Sequence, residues 1–302
     1  MAAEQSGTYE KLYYTMWEIG QRDGEFAQFR VIGRSHDDRM IPMLEIGKGD
    51  RCIFCLSGIE SGDGNLPEYL LSNIKEYCVA YESNWIIGES YEVQRLLDKV
   101  RICAIPILNP DRYEISEKGY GAIRNPIYRQ MLKMQDKPVD DYESNARGID
   151  LRRNFPTNYY QRKKINQEPA SENETRALIN IFQEYSSEGL LTFSYSRGKI
   201  IYCRQEKGFA YNQRNYRLAR HLQKCSGYRL EKGIAGGAVT RKTGTKPGTK
   251  PDMGSPEQFY AEVIRQPSMA IEIPDYRKGE IEELRMIPLE YIYSLNSGAF
   301  VK

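Results

Sequence analysis

The stretch Ile102 to Leu108 is apolar at every position, and no other feature narrows the choice of fold so much. A strand with one face in water alternates apolar and polar residues, whereas a strand covered on both faces reads as a continuous apolar run. Strand-like apolar runs recur at Arg51 to Leu56, Ile86 to Gly88, Val100 to Leu108, Leu190 to Phe193, Ile200 to Cys203 and Ser268 to Ile273. Helix-like segments such as Leu66 to Tyr77 fall between them. That alternation predicts an α/β protein, a three-layer α/β/α sandwich whose mixed, largely parallel sheet carries helices on both faces. With 302 residues and no composition break, the chain is expected to form one domain over 1–302, with 1–8 as a disordered tail.

Charge and cysteine usage exclude several classes. With 43 basic and 41 acidic residues there is no global pull on nucleic acid. The basic runs Arg162 to Lys164 and Arg241 to Lys250 read as solvated loops. No stretch approaches the roughly 20 apolar residues of a membrane span, and the amino terminus has no apolar signal core, so a cytoplasmic location is expected. Cys52 and Cys55 form a CxxC, but within a strand they point to opposite faces, and no second pair is spaced for zinc. Together with Cys78, Cys103, Cys203 and Cys225 they are expected as reduced thiols.

Six motifs appear in a fixed order: FRVIGRSHDDRMIPMLEIG (Phe29 to Gly47), NPDRYEIS (Asn109 to Ser116), GIDLRRNFP (Gly148 to Pro156), SENETRAL (Ser171 to Leu178), FSYSRGKIIY (Phe193 to Tyr202) and PSMAIEIP (Pro267 to Pro274). In this order they resemble the zinc carboxypeptidases of the carboxypeptidase A and T type. The FSYSRGKIIY segment is similar to the branch of bacterial peptidases that cut peptidoglycan peptides. The resemblance implies the family fold and a site at the carboxyl ends of strands, near which Glu60, Asn109, Tyr195 and Glu272 fall.

It also implies where metal ligands belong. The family writes Gly-Ile-His-x-x-Glu where this chain has Gly58, Ile59, Glu60, Ser61, Gly62 and Asp63, and the third ligand position holds Tyr195. Zinc favours imidazole and thiolate ligands, and a tyrosine with an ordinary pKa near 10 is a poor ligand at neutral pH. The chain has only two histidines, His36 in a charged turn and His221 on a basic helix-like stretch, both read as exposed. No cofactor is therefore expected, a hard divalent cation among Glu60, Asp63 and Glu272 being the one exception. The other way to neutralise three convergent carboxylates is an arginine, Arg152 or Arg197.

By the same resemblance, Glu272 stands at the general-base position and Arg153 at the arginine that grips a substrate's terminal carboxylate. Arg152 replaces an asparagine, and Arg197 matches the arginine of the bacterial pattern. Arg124 and Arg129 both remain candidates for the oxyanion-stabilising arginine. The loop TRKTGTKPGTKPDMGS, Thr240 to Ser255, corresponds to the flexible loop over the family's site. The leading expectation is a pseudopeptidase that binds a peptide, or a peptidoglycan-type peptide, by its free carboxylate, with neither nucleic acid nor membrane as partner. An active metallocarboxypeptidase with a carboxylate and tyrosine metal site, and an interaction module with a relic pocket, are the alternatives.

Overall fold

The computed structural model describes residues 8–22, 24–59, 64–88, 90–157, 168–205, 208–234, 254–274 and 282–296. In chain order, helix α1 (Tyr9–Arg22) precedes strands β1 (Ala27–Arg34), β2 (Met40–Ile46) and β3 (Arg51–Leu56). Then come α2 (Leu66–Glu82), a short hairpin of β4 (Ile86–Ile87) and β5 (Tyr91–Glu92), α3 (Val93–Leu97), β6 (Val100–Ile105), α4 (Pro110–Lys118) and α5 (Pro126–Lys133). The second half holds α6 (Asn173–Glu184), β7 (Ser187–Ser196), β8 (Lys199–Arg204), α7 (Phe209–Ser226), β9 (Arg229–Ile234), α8 (Pro256–Phe259), β10 (Ser268–Pro274) and α9 (Glu282–Asn296).

Eight of these strands form one sheet in the order β1-β2-β6-β3-β7-β10-β8-β9. The central neighbours β6, β3, β7 and β10 run parallel, while β2 meets β6 and β8 meets β10 antiparallel. The mixed, largely parallel sheet thus agrees with the reading from the sequence. One run does not join it: Ile86 to Gly88 contributes only β4, paired with β5 apart from the main sheet, and Ile86 is exposed.

Strand β3 explains why its sequence is apolar throughout. Ile53 and Cys55 face the core layer that includes α1, α2 and α9, whereas Cys52, Phe54 and Leu56 face the layer of α6 and α8. The CxxC is therefore split across the sheet, and both thiols are buried and free. In α6, Ala177, Leu178, Ile181 and Phe182 recur at helical spacing and bury one face. The Phe182 and Tyr260 rings lie edge-on to Phe54, at centroid distances of 5.0 and 6.4 Å. Among the described residues, no helix is long and apolar enough to cross a membrane.

Candidate functional site

The parallel strands β6, β3, β7 and β10 end side by side, and the segments leaving them form one edge of the molecule. After β3 the chain turns at Gly58, which has φ +65, and an added Cβ would sit 2.6 Å from the Pro106 carbonyl. Only glycine fits both the left-handed backbone and that approach. Ser57 N donates to Ile105 O at 3.1 Å and Asn109 N to Gly58 O at 2.9 Å, stitching the exits of β3 and β6 together. Asn109 then caps α4 by accepting from Arg112 N at 3.1 Å, with Pro110 at the first helical position.

From there a buried polar layer runs away from the sheet. The Asp111 carboxylate accepts from Ser35 Oγ at 2.7 Å and pairs with Arg39 at 3.0 Å, and Arg39 pairs with Asp37 at 2.5 Å. This fixes the Ser35–Arg39 turn and, with it, His36. His36 Nε2 lies 3.2 Å from Glu172 Oε2, and the ligand atoms of His36, Glu172 and Glu174 all fall within 4.8 Å of one another. Both glutamate side chains are fully buried, and that of His36 is 14% exposed. Asn145 Nδ2 donates to Glu172 at 2.7 Å and to Glu174 at 3.3 Å. Burial pushes the Glu174 carboxyl up to about 8, helped by the neighbouring Asp111 and Glu172 carboxylates, and burial lowers His36. A divalent cation among the three would take the place of the Glu174 proton.

The sequence-derived site residues fall in several places. Glu60 and Asp63 lie outside the described residues, as does the 240–255 loop up to residue 253. Tyr195 is near the end of β7, with its hydroxyl donating to Asn65 Oδ1 at 3.0 Å. Asn65 stands just before α2, at its N-cap position, without a side-chain capping hydrogen bond. Tyr195 pairs with Ile273, and Glu272 pairs with Ser194 on one side and Lys199 on the other, so Tyr195 and Glu272 leave the pleat on opposite faces. Lys199 itself reaches Glu231 at 2.9 Å.

Arg152 and Arg153 share the 3-10 turn Leu151–Arg153, capped by Asp150, and Arg153 Nε contacts Asp150 Oδ2 at 3.1 Å. Gly254 packs on this turn, with Phe155 N donating to Gly254 O at 2.9 Å. Arg197 is exposed in the turn between β7 and β8. Arg124 follows the Gly119–Ala122 turn and is held by its backbone N–H on Asp37 at 2.8 Å, while Arg129 is half-buried on α5. No ion pair between Glu272 and an arginine occurs among the described residues.

A family model for zinc carboxypeptidases matches residues 12–274. The chain belongs to the zinc carboxypeptidase family. Mast cell carboxypeptidase A of Mus musculus is 23% identical over 208 residues, a stretch covering 64% of this chain and 46% of that protein. The match therefore spans about half the length of that relative. Among solved structures, bovine thrombin-activatable fibrinolysis inhibitor in complex with tick carboxypeptidase inhibitor superposes with a TM-score of 0.69 at 16% identity, covering 97% of each chain. The metallo-carboxypeptidase of Burkholderia cenocepacia gives a TM-score of 0.61 at 12% identity, covering 97% of this chain and 70% of that one. The Pseudomonas aeruginosa metallo-carboxypeptidase in complex with (2-guanidinoethylmercapto)succinic acid gives 0.56 at 13%, covering 96% of this chain and 68% of its own.

Two readings of the sequence need correction. The expected lack of a cofactor is overturned: the family is that of the zinc carboxypeptidases, and this chain has a His36, Glu172 and Glu174 group able to hold a metal, which points to zinc. One imidazole and two carboxylates make the nitrogen and oxygen donor set of known zinc sites. His36 is also not the exposed surface residue it was read as, because the Asp111 anchor turns its loop onto α6. The signal available was the carboxylate pair in SENETRAL, but its histidine partner lies 136 residues earlier and only the fold unites them. His221 does lie at the surface, with 37% of its side chain exposed, 3.3 Å from Glu290.

Proposed function

We propose that the protein holds the carboxyl end of a peptide at the strand-end edge, with Arg153 as the gripping residue and Arg152 beside it, and does not hydrolyse the peptide there. The observation that carries this reading is Tyr195. At the position where the family resemblance places a zinc ligand, a phenol stands hydrogen-bonded to Asn65 at 3.0 Å. A phenol engaged as a donor is poorly suited to replace an imidazole on zinc.

Support for carboxylate recognition comes from the arginine turn. Asp150 fixes the Arg153 guanidinium through Nε, and a planar guanidinium is suited to two parallel hydrogen bonds with a carboxylate. The Pseudomonas aeruginosa relative is in complex with a succinic acid derivative, a ligand of the same charge class. The FSYSRGKIIY resemblance extends the reading to peptidoglycan-type peptides. Zinc held by His36, Glu172 and Glu174 would supply positive charge to a buried carboxylate pair.

Hydrolysis is the competing reading, and Glu272 on β10 is the residue that favours it. Zinc-loaded protein incubated with a varied set of peptide acids separates the two by chromatography of the products. Binding without cleavage is expected. Turnover abolished by Glu272→Gln would replace the proposal with an active peptidase.

A further inference from the structure

His36 comes from the Ser35–Arg39 turn, while Glu172 and Glu174 open α6, so the three ligand atoms join segments far apart in the chain. One of their spacings is that of ligands on a small divalent ion. Zinc to nitrogen or oxygen bonds of about 2.0 to 2.1 Å at tetrahedral angles place neighbouring ligand atoms about 3.3 Å apart, and His36 Nε2 stands 3.2 Å from Glu172 Oε2.

What the group holds in place is equally specific. Glu172 accepts from Asn145 through its carboxylate at 2.7 Å, and its backbone N–H donates to Asn154 Oδ1 at 3.1 Å. Ser171 bridges the two, its hydroxyl 2.7 Å from Glu172 Oε1 and accepting from Asn154 Nδ2 at 2.9 Å. Asn145 and Asn154 bracket the segment that carries Arg152 and Arg153. Apart from backbone bonds of α6 such as Arg176 N to Glu172 O, the hydrogen-bond and ion-pair partners of the group among the described residues are Asn145, Arg147, Ser171, Asn154 and Asn173, and neither Tyr195 nor Glu272 is among them.

One built-in cation competes for this place. Arg147 Nη1 lies 3.5 Å from Glu172 Oε1 and 3.4 Å from His36 Nε2, and its side chain is 37% exposed. A guanidinium that open to solvent can swing away when an ion enters.

We propose that His36, Glu172 and Glu174 form a three-ligand zinc site that clamps the 145–154 segment and so presets Arg153. The effect on Arg153 rests on the carboxylate-binding reading above; the site itself does not. The test uses the full chain, stripped with chelator and titrated with zinc chloride by calorimetry, with thermal unfolding recorded with and without zinc. One zinc per chain and a rise in midpoint are expected, both lost in His36→Ala and in the isosteric Glu172→Gln. Asn145→Ala should weaken zinc by about 10- to 100-fold, the usual effect of removing an outer partner. Arg147→Gln should tighten it. No zinc uptake by the wild type overturns the site, and so does uptake unchanged in both His36→Ala and Glu172→Gln, which would put the ion elsewhere. A peptide acid should bind the zinc-loaded protein more tightly than the stripped one. Equal binding overturns the clamp, whereas no peptide binding in either state overturns the carboxylate reading and the clamp with it, leaving the zinc measurements to judge the site.

Discussion

At Gly58 a methyl group would meet the Pro106 carbonyl at 2.6 Å on a backbone already at φ +65. Gly58→Ala is therefore expected to lower stability by about 1 to 3 kcal/mol, the usual cost of a strained backbone, as read from the urea midpoint. This glycine was legible in the sequence because Gly58 sits in a recognisable family segment, although the carbonyl that forbids a side chain comes from the exit of β6. His36 was not legible. Its immediate neighbours Ser35, Asp37 and Arg39 are polar or charged and suggest solvent, yet all three turn inward on Asp111 and become buried. Local polarity predicts exposure only when the partners are local too, and here they lie on α4 and α6. Arg153 stands between these cases: the GIDLRRNFP segment marks it, and the structure adds the Asp150 contact that orients it.

Among the elements, β3 carries the clearest energetic consequence. Phe54 is fully buried beneath the rings of Phe182, Tyr185 and Tyr260. Phe54→Ala should cost about 3 to 5 kcal/mol by leaving a cavity that flanking rings cannot close, measurable by chemical denaturation. The strand was readable because a two-sided environment writes itself into sequence as an unbroken apolar run. The Ile86 segment carries a similar run of apolar residues and misled, since two residues pairing outside the sheet have no periodicity to separate them from a core strand. On α7, Cys225 is the one half-buried thiol, and burial with the nearby Glu290 carboxylate pushes it up to about 11. Alkylation of the native protein should thus be slow at pH 8 and speed up as pH rises towards 11, because only the thiolate reacts. Rapid modification of Cys225 at pH 8, mapped by mass spectrometry, would contradict that burial.

At the scale of the whole molecule, the parallel block β6-β3-β7-β10 brings segments from all along the chain to one edge, and that arrangement followed from the order of motifs. Which side chains would meet there did not follow. Register decides it, and it sets Tyr195 level with Ile273 and Glu272 level with Lys199, a pairing no single segment encodes. The fold's polar layer, from Asp111 through the Ser35–Arg39 turn to Glu172 and Asn145, connects that edge to the arginine turn. If the edge is a carboxylate-binding surface, the deciding group on the ligand is its terminal charge. Calorimetry with a matched pair, one peptide as the free acid and the same peptide as the amide, reads this directly. The acid should bind and the amide should not, and Arg153→Ala should weaken the acid by about 1.5 to 3 kcal/mol, the worth of a charged hydrogen bond. Equal affinity for acid and amide, or an acid affinity untouched by Arg153→Ala, would contradict the account.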